Sequence, residues 1–141
     1  MNVQTRDETR LARTAEEYVA LAATDADWIV RWPDDLRQLR ELDGDPLGRL
    51  PRADFDAFVD GLGFAGGGVA DGSYRPLMAT LTITEILGVF ERFGMHNEYA
   101  LATLEAKCVH PPDAGHGDCE FSFWDFCSSL CGKKVTTFPA R

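Results

Sequence analysis

The chain is short of positive charge and lacks any long apolar run. Its 14 Lys and Arg residues are outnumbered by 23 Asp and Glu residues, which gives a net charge of −9. Nucleic-acid backbones and anionic membrane surfaces repel such a field, so we expect neither as a main partner. Apolar runs such as residues 86–90 are much shorter than the roughly 20 residues that cross a bilayer.

Signals for secretion and for common catalytic chemistry are also lacking. Residues 1–20 alternate charged and small side chains without the apolar core of a signal peptide, which predicts a cytoplasmic location. The sequence has no CxxC, no HExxH and no GxSxG nucleophile elbow. Enzyme activity therefore has little support, and we expect a protein that binds rather than one that catalyses.

Length and composition favour one domain with its own core. The chain has 141 residues, of which 45% are hydrophobic and 11% aromatic, so residues 1–141 are expected to fold as a single unit. We divide it into a helical N-terminal part (6–62), a glycine-rich connector (63–73) and a helical C-terminal part (74–132).

Apolar residues at helical spacing predict the N-terminal helices. A first helix is predicted over residues 6–23, and a second from Thr24 to Trp32. Pro33 is predicted to restart the helix, which then runs to Leu42, because proline fits the first turn but lacks the N–H donor that a helix interior needs.

Helix signals in the C-terminal part are local and specific. Thr82 and Glu85 have the spacing of a capping box, which predicts a helix that ends at Gly94. Residues 76–80 are predicted to be extended. Another helix is predicted over residues 97–108, because two prolines follow it.

Residues 43–54 have acids at the positions of a calcium-binding loop. The matches are Asp43 at position one, Asp45 at three, Gly48 at six, Leu50 at eight and Asp54 at twelve. Apolar stripes at helical spacing flank the loop on both sides. Their members are Leu36, Leu39 and Leu42 before the loop, and Phe55, Phe58 and Val59 after it.

Together the loop and its flanks, residues 34–62, resemble an EF-hand, the helix–loop–helix calcium module. The resemblance implies a mostly α, compact helical domain. It also implies a binding or regulatory module that acts through a protein or peptide partner.

The loop departs from the EF-hand pattern at ligand positions. Leu47 at position five and Pro51 at position nine offer no side-chain oxygen. The remaining ligands would be the side chains of Asp43, Asp45 and Asp54 and the carbonyl of Arg49. These supply four or five of the roughly six to eight oxygens that a hard cation takes. We expect weak binding of Ca²⁺ or Mg²⁺ at most, and a loop without metal is an equal alternative.

Residues 98–131 give a second, weaker echo of the EF-hand. Phe121 and Asp125 take positions eight and twelve, while the earlier positions are Ala114, His116 and Asp118, and Cys119 replaces the glycine. This echo therefore indicates a fold rather than a metal site. EF-hands pair through their loops, so residues 49–51 are expected to form a very short antiparallel pairing with residues 120–122.

All four cysteines lie in the last third of the chain, with all three histidines. Cys119, Cys127, Cys131 and His116 could together bind Zn²⁺ or copper as soft-metal ligands. Buried thiols and disulfides are the alternatives, the latter disfavoured without a secretory signal. We expect buried thiols without metal, because metal thiolates would add negative charge to a chain that already has an excess of it.

Three functions remain open from the sequence. The first is the EF-hand-like binding module, and the second is a soft-metal accessory protein that uses the cysteine and histidine cluster. The third is an acidic inhibitor or immunity-type protein that covers a basic surface on its target, and it is based only on size and charge.

Overall fold

A computed structural model describes residues 10–109 and 117–133. Helices account for 44% of it and strands for 23%, and the described strands form a four-stranded antiparallel sheet. The prediction of a mostly α, EF-hand-like domain with one very short β-pairing is therefore wrong. Helices and sheet instead share one hydrophobic core.

The N-terminal part is helical but interrupted. It contains α1 (Ala15–Ala22), α2 (Pro33–Arg40), a short 3-10 helix (Pro46–Arg49) and α3 (Arg52–Asp60). Thr14 caps α1 by accepting a hydrogen bond from the Glu17 N–H, so the helix begins well after residue 6. Part of the predicted 6–23 helix, residues 6–9, lies outside the described residues.

The predicted helix from Thr24 to Trp32 does not form. Arg31 donates hydrogen bonds from its guanidinium to the carbonyls of Ala22, Thr24, Ala26 and Gly67. Carbonyls that a helix would pair internally are used by this side chain instead, and the segment stays irregular. Pro33 begins α2, as predicted.

The glycine-rich segment 63–73 is a β-hairpin and not a connector. Its strands are β1 (Gly63–Ala65) and β2 (Gly68–Ser73). Gly66 and Gly67 make the turn with φ values of 62° and 94°. A side chain at Gly67 would also bring a Cβ to 2.3 Å from the Ala22 carbonyl oxygen. Glycine therefore provides the turn and the close packing here rather than flexibility.

The C-terminal part combines helices with the rest of the sheet. It contains α4 (Arg75–Met78), α5 (Ile83–Phe93), α6 (Asn97–Thr103), β3 (Leu104–Val109) and β4 (Asp118–Cys127). The capping box of Thr82 and Glu85 is confirmed, and Gly94 ends α5 in the left-handed conformation. Residues 76–80 are not extended, because Pro76 lies in the first turn of α4.

Strand β4 lies inside the sheet, whose order is β1-β2-β4-β3. The predicted 97–108 helix ends at Thr103, and the chain continues directly into β3. Glu120 and Phe121 pair with β3 and not with residues 49–51, so the predicted pairing of the two loops is wrong. Alternating aromatic residues in β4 favour an extended strand over the helix that the EF-hand echo implied.

Aromatic side chains form the centre of the core. Phe58, Phe90, Phe93 and Phe126 are fully buried, and the Phe90 and Phe126 ring centroids lie 4.8 Å apart. The expected burial of Phe58 is confirmed, whereas Leu42 from the predicted stripe is 56% exposed. The core therefore joins α3 and α5 to the inner face of β4.

Each of the three tyrosines is buried and hydrogen-bonded. The Tyr18 hydroxyl accepts a hydrogen bond from Val69 N, and the Tyr99 hydroxyl accepts one from Ser129 N. Burial raises the pKa of both phenols. Burial, together with the hydrogen bond to Glu105, raises the pKa of Tyr74 to about 12.

This arrangement predicts that the tyrosines of the folded chain titrate at a higher pH than those of the unfolded chain. The folded chain should release few phenol protons near pH 10, where the urea-unfolded chain releases them. Above that pH the unfolded state binds fewer protons than the folded state, so the free energy of unfolding falls as pH rises, and below it there is no effect. Tyrosinate absorbance from about pH 8 to about pH 11 measures the phenol titration, and urea midpoints over the same range measure the change in the free energy of unfolding. Identical folded and unfolded titrations would contradict the burial of these hydroxyls.

Candidate functional site: a disulfide-closed aromatic loop

Two disulfides join the four cysteines. Cys119 is bonded to Cys127, eight residues away, and Cys108 to Cys131, 23 residues away. The expectation of unbonded core thiols is therefore wrong. The register of β3 and β4 places Cys108 opposite Cys119, and Cys127 ends a strand rather than lying on a helix.

Three of the four cysteine sulfurs form one compact cluster. The sulfurs of Cys108, Cys127 and Cys131 all lie within 4.8 Å of one another, close enough to hold a metal ion. Among residues 10–109 and 117–133, this is the only group of three or more His, Cys, Asp or Glu ligands at such spacing. The fourth predicted ligand, His116, lies outside the described residues.

The predicted hard-cation ligands are not brought together. Asp45 is buried; its Oδ1 accepts from Leu47 N at 3.0 Å, and its Oδ2 lies 2.7 Å from Arg92 Nη2, out of line for a hydrogen bond. Asp43 is exposed, and Asp54 lies in the first turn of α3. The Asp45 carboxylate therefore organises its own loop and pairs with α5.

An arginine supplies a positive charge to the carbonyls of this loop. The Arg40 guanidinium donates to the carbonyls of Leu47 at 2.7 Å and Leu50 at 3.0 Å. The side chain of Arg49, whose carbonyl was a predicted ligand, forms an ion pair with Glu85 and lowers the pKa of that carboxyl group. Binding of Ca²⁺ or Mg²⁺ by the loop stays a prediction.

The different positions of Asp43 and Asp45 give a paired test. Asp45→Ala should cost about 1–3 kcal/mol, because it removes the cap of the 3-10 helix and leaves Arg92 without its carboxylate. Asp43→Ala should change the free energy of unfolding by less than about 0.5 kcal/mol. Urea denaturation measures both. Equal effects of the two substitutions would contradict the structural role of Asp45. In a separate measurement, a melting temperature raised by millimolar calcium would support a cation site.

The loop between Cys119 and Cys127 exposes three large aromatic side chains. Phe121 is 69% exposed, Phe123 66% and Trp124 40%. The Phe121 and Phe123 ring centroids lie 4.7 Å apart, and those of Phe123 and Trp124 lie 6.4 Å apart. The three rings therefore form one continuous surface, which we call the aromatic loop (residues 120–126).

A break in strand register projects this loop from the sheet. Phe121 pairs with Ala106 and Phe126 with Leu104, so residues 122–125 bulge out of the β3–β4 ladder. Such bulges redirect side chains at strand edges. Phe123 and Trp124 lie where the strand leaves the β3–β4 ladder, whereas Phe121 is exposed from its paired position opposite Ala106.

Hydrogen bonds fix the shape of the bulge. The Glu105 carboxylate accepts from the Tyr74 hydroxyl and from Trp124 N at 3.1 Å. The Trp124 carbonyl accepts from Tyr74 N at 2.9 Å. Glu105 and Trp124 both have positive φ, 62° and 71°, a conformation that costs non-glycine residues about 1–3 kcal/mol each. These contacts therefore hold the backbone in a shape that it would not adopt alone.

The surroundings of the aromatic loop are acidic. Glu105, Glu120 and Asp125 lie on it or beside it. The bases close to it are Lys107 on β3, paired in register with Glu120, and Arg75, whose N–H donates to Ser73 opposite Asp125. Asp125 also accepts a hydrogen bond from Ser122 Oγ at 2.6 Å. The loop thus combines exposed aromatic rings with a negative rim.

Comparison with known proteins finds no matching family model, no similar curated protein and no similar solved structure. None of the described helices is long and apolar enough to cross a membrane.

Sequence reasoning missed the aromatic loop. The second EF-hand echo places Phe121 at position eight of a loop, and it does not identify residues 121–124 as an exposed surface. The available signal was the pair Cys119 and Cys127, which brackets alternating aromatic residues within a short segment. A disulfide between cysteines eight residues apart closes these aromatic residues into a loop.

Proposed function

We propose that the protein is a small binding module that docks its aromatic loop onto a basic segment of a partner protein. The observation that supports this most directly is the exposure of Phe121, Phe123 and Trp124 on a disulfide-closed loop. Aromatic residues, Trp above all, dominate the binding energy of protein interfaces.

The loop needs little reorganisation to bind. The disulfide, the two hydrogen bonds to Glu105 and the bond between Ser122 and Asp125 already restrict its backbone. A rigid loop loses less conformational entropy on association than a flexible one, which raises affinity for the same contact area.

Charge determines the kind of partner. The negative rim of Glu105, Glu120 and Asp125 favours a partner rich in Lys and Arg. The faces of exposed aromatic rings also attract such cations, at roughly 0.5–2 kcal/mol for each contact. An acidic inhibitor that covers a basic surface on its target would be one form of this module.

Peptide selection on the oxidised full-length protein tests the proposal. We expect the selected peptides to combine Lys or Arg with apolar residues. The synthetic peptides should then lose about tenfold or more in affinity for Phe123→Ala and Trp124→Ala, the loss expected when a hot-spot ring is removed. Tryptophan fluorescence or calorimetry measures the affinities.

The control is an equally exposed apolar residue outside the loop. Leu42 is 56% exposed on the segment after α2, and Leu42→Ala should leave the affinities unchanged. Selected peptides that are acidic, or that bind Phe123→Ala as well as the unmutated chain, would rule out the aromatic loop as the binding surface.

A further inference from the structure

We propose that the cysteine cluster becomes a zinc site when its two disulfides are reduced. The ligands would be Cys108, Cys127 and Cys131, with Cys119 as the fourth. This site is separate from the aromatic rings, and the inference does not depend on the proposed partner binding.

The sulfur positions already approach a zinc site. Three sulfurs lie within 4.8 Å of one another, and the sulfur of Cys119 is bonded to that of Cys127. Four sulfurs at about 2.3 Å from one zinc ion lie roughly 3.8 Å from each other. The Cys119 sulfur is outside this group of three, so its side chain would rotate toward the others to complete a tetrahedral site.

The backbone keeps the ligands close without the sulfur–sulfur bonds. Cys108 and Cys119 lie opposite each other in the β3–β4 ladder. Cys127 is held in the sheet opposite Asp71 of β2. Cys131 lies in the turn after β4, where its N–H donates to the Ser128 carbonyl at 3.0 Å.

That turn is itself anchored in the core. The buried Ser128 hydroxyl donates to the Val69 carbonyl at 2.7 Å and accepts from Leu130 N at 3.1 Å. Leu130 is almost fully buried. Strand pairing and the turn thus bring the four ligands together, and a reduced chain would keep most of this arrangement.

The conversion balances with a named reductant. A phosphine or dithiol supplies two electrons to each disulfide, each sulfur takes up one proton, and the two bonds become four thiols. Zn²⁺ then displaces four protons as it binds four thiolates. The ion offsets two of the four new negative charges. The site therefore adds a charge of only −2 to a chain whose net charge is already −9.

The two disulfides would rarely persist in a reducing compartment. In a reducing compartment, zinc would take over the role of the disulfides and close the aromatic loop through the same four cysteines.

The experiment measures metal bound to the full chain with and without reduction. We expect one Zn²⁺ per chain after treatment with a phosphine, dialysis against zinc and elemental analysis, and none in the oxidised chain. Co²⁺ in place of zinc should give thiolate charge-transfer absorption and the spectrum of a tetrahedral site. Zinc should also raise the melting temperature of the reduced chain.

Two variants identify the ligands. Cys131→Ser should weaken zinc binding tenfold or more in a chelator competition, while Asp43→Ala, in the acidic loop, should bind as tightly as the unmutated chain. Well under one zinc per reduced chain would overturn the proposal. So would unchanged affinity in Cys131→Ser, which would place the metal on other ligands. Neither result depends on whether the selected peptides bind.

Discussion

Phe126→Ala should lower the free energy of unfolding by about 3–5 kcal/mol, the range measured for removing a buried aromatic ring. Phe126 is fully buried, and its ring centroid lies 4.8 Å from that of Phe90 and 6.0 Å from that of Phe93. Gly72 lies against the ring from the next strand. Strand pairing on one side and α5 on the other leave little room for the cavity to collapse.

Phe121→Ala is the matched control on the same strand. Phe121 is 69% exposed, so the same substitution should change stability by less than about 0.5 kcal/mol. Urea denaturation of both variants under oxidising conditions measures the difference. Equal losses would mean that the β4 register is wrong, because a register slip exchanges inward and outward side chains.

The second large effect is expected from removing the disulfides. Replacing Cys108 and Cys131 by serine should cost about 3.5 kcal/mol, and replacing Cys119 and Cys127 about 2.5 kcal/mol, from the entropy of the loops that each bond closes. The difference follows from sequence separations of 23 and 8. Denaturant midpoints of the two double variants, compared with the oxidised chain, give both values.

Counting reactive thiols on the unfolded chain checks that both disulfides are formed. Protein purified under oxidising conditions should have no thiol that reacts with an alkylating reagent, and each double variant should likewise have none. Reactive thiols in the unmutated chain would show that the bonds do not form. A smaller cost for the Cys108–Cys131 pair than for the other would show that the folded state, and not loop entropy, determines their contribution.

Sequence reasoning succeeded where the signal is local. Thr82 and Glu85 predict the start of α5 because their side chains bond only to backbone groups within one turn. Gly94 ends α5 and Pro33 begins α2 for an equally local reason, since each residue type favours the φ angle that its position needs. The burial of Phe58 follows from helical spacing alone. None of these predictions needs knowledge of a distant residue.

The mostly α prediction failed because the deciding contacts are distant in sequence. Arg31 bonds across to Gly67, and this long-range contact helps to keep Thr24–Trp32 irregular.

The predicted cation loop is a separate case. Arg40 binds the loop carbonyls, an interaction that the positions of the acids in residues 43–54 do not reveal. The positions of the acids show where carboxylate oxygens can lie. They do not show that the Arg40 guanidinium of the same chain already supplies positive charge to this loop.

The aromatic loop could have been predicted in part. Its exposure depends on the bulge at residues 122–125 and on Glu105, which lies in a different strand. The EF-hand echo interprets the segment as the end of a loop and the start of a helix, which gives no reason for its rings to be exposed. The disulfide pairing follows neither from the cysteine spacing nor from strand register alone, because Cys108 lies opposite Cys119 in the ladder but is bonded to Cys131.

The position of β4 has a consequence for protein synthesis. The ribosome produces β4 after all the other described strands, yet β4 lies between β2 and β3 in the sheet. Until residues 118–127 emerge, both neighbours present unpaired edges, and Phe90 and Phe93 lack the ring of Phe126. The nascent chain therefore cannot complete its core in stages. Its two unpaired strand edges stay exposed until β4 is made, and such edges favour aggregation.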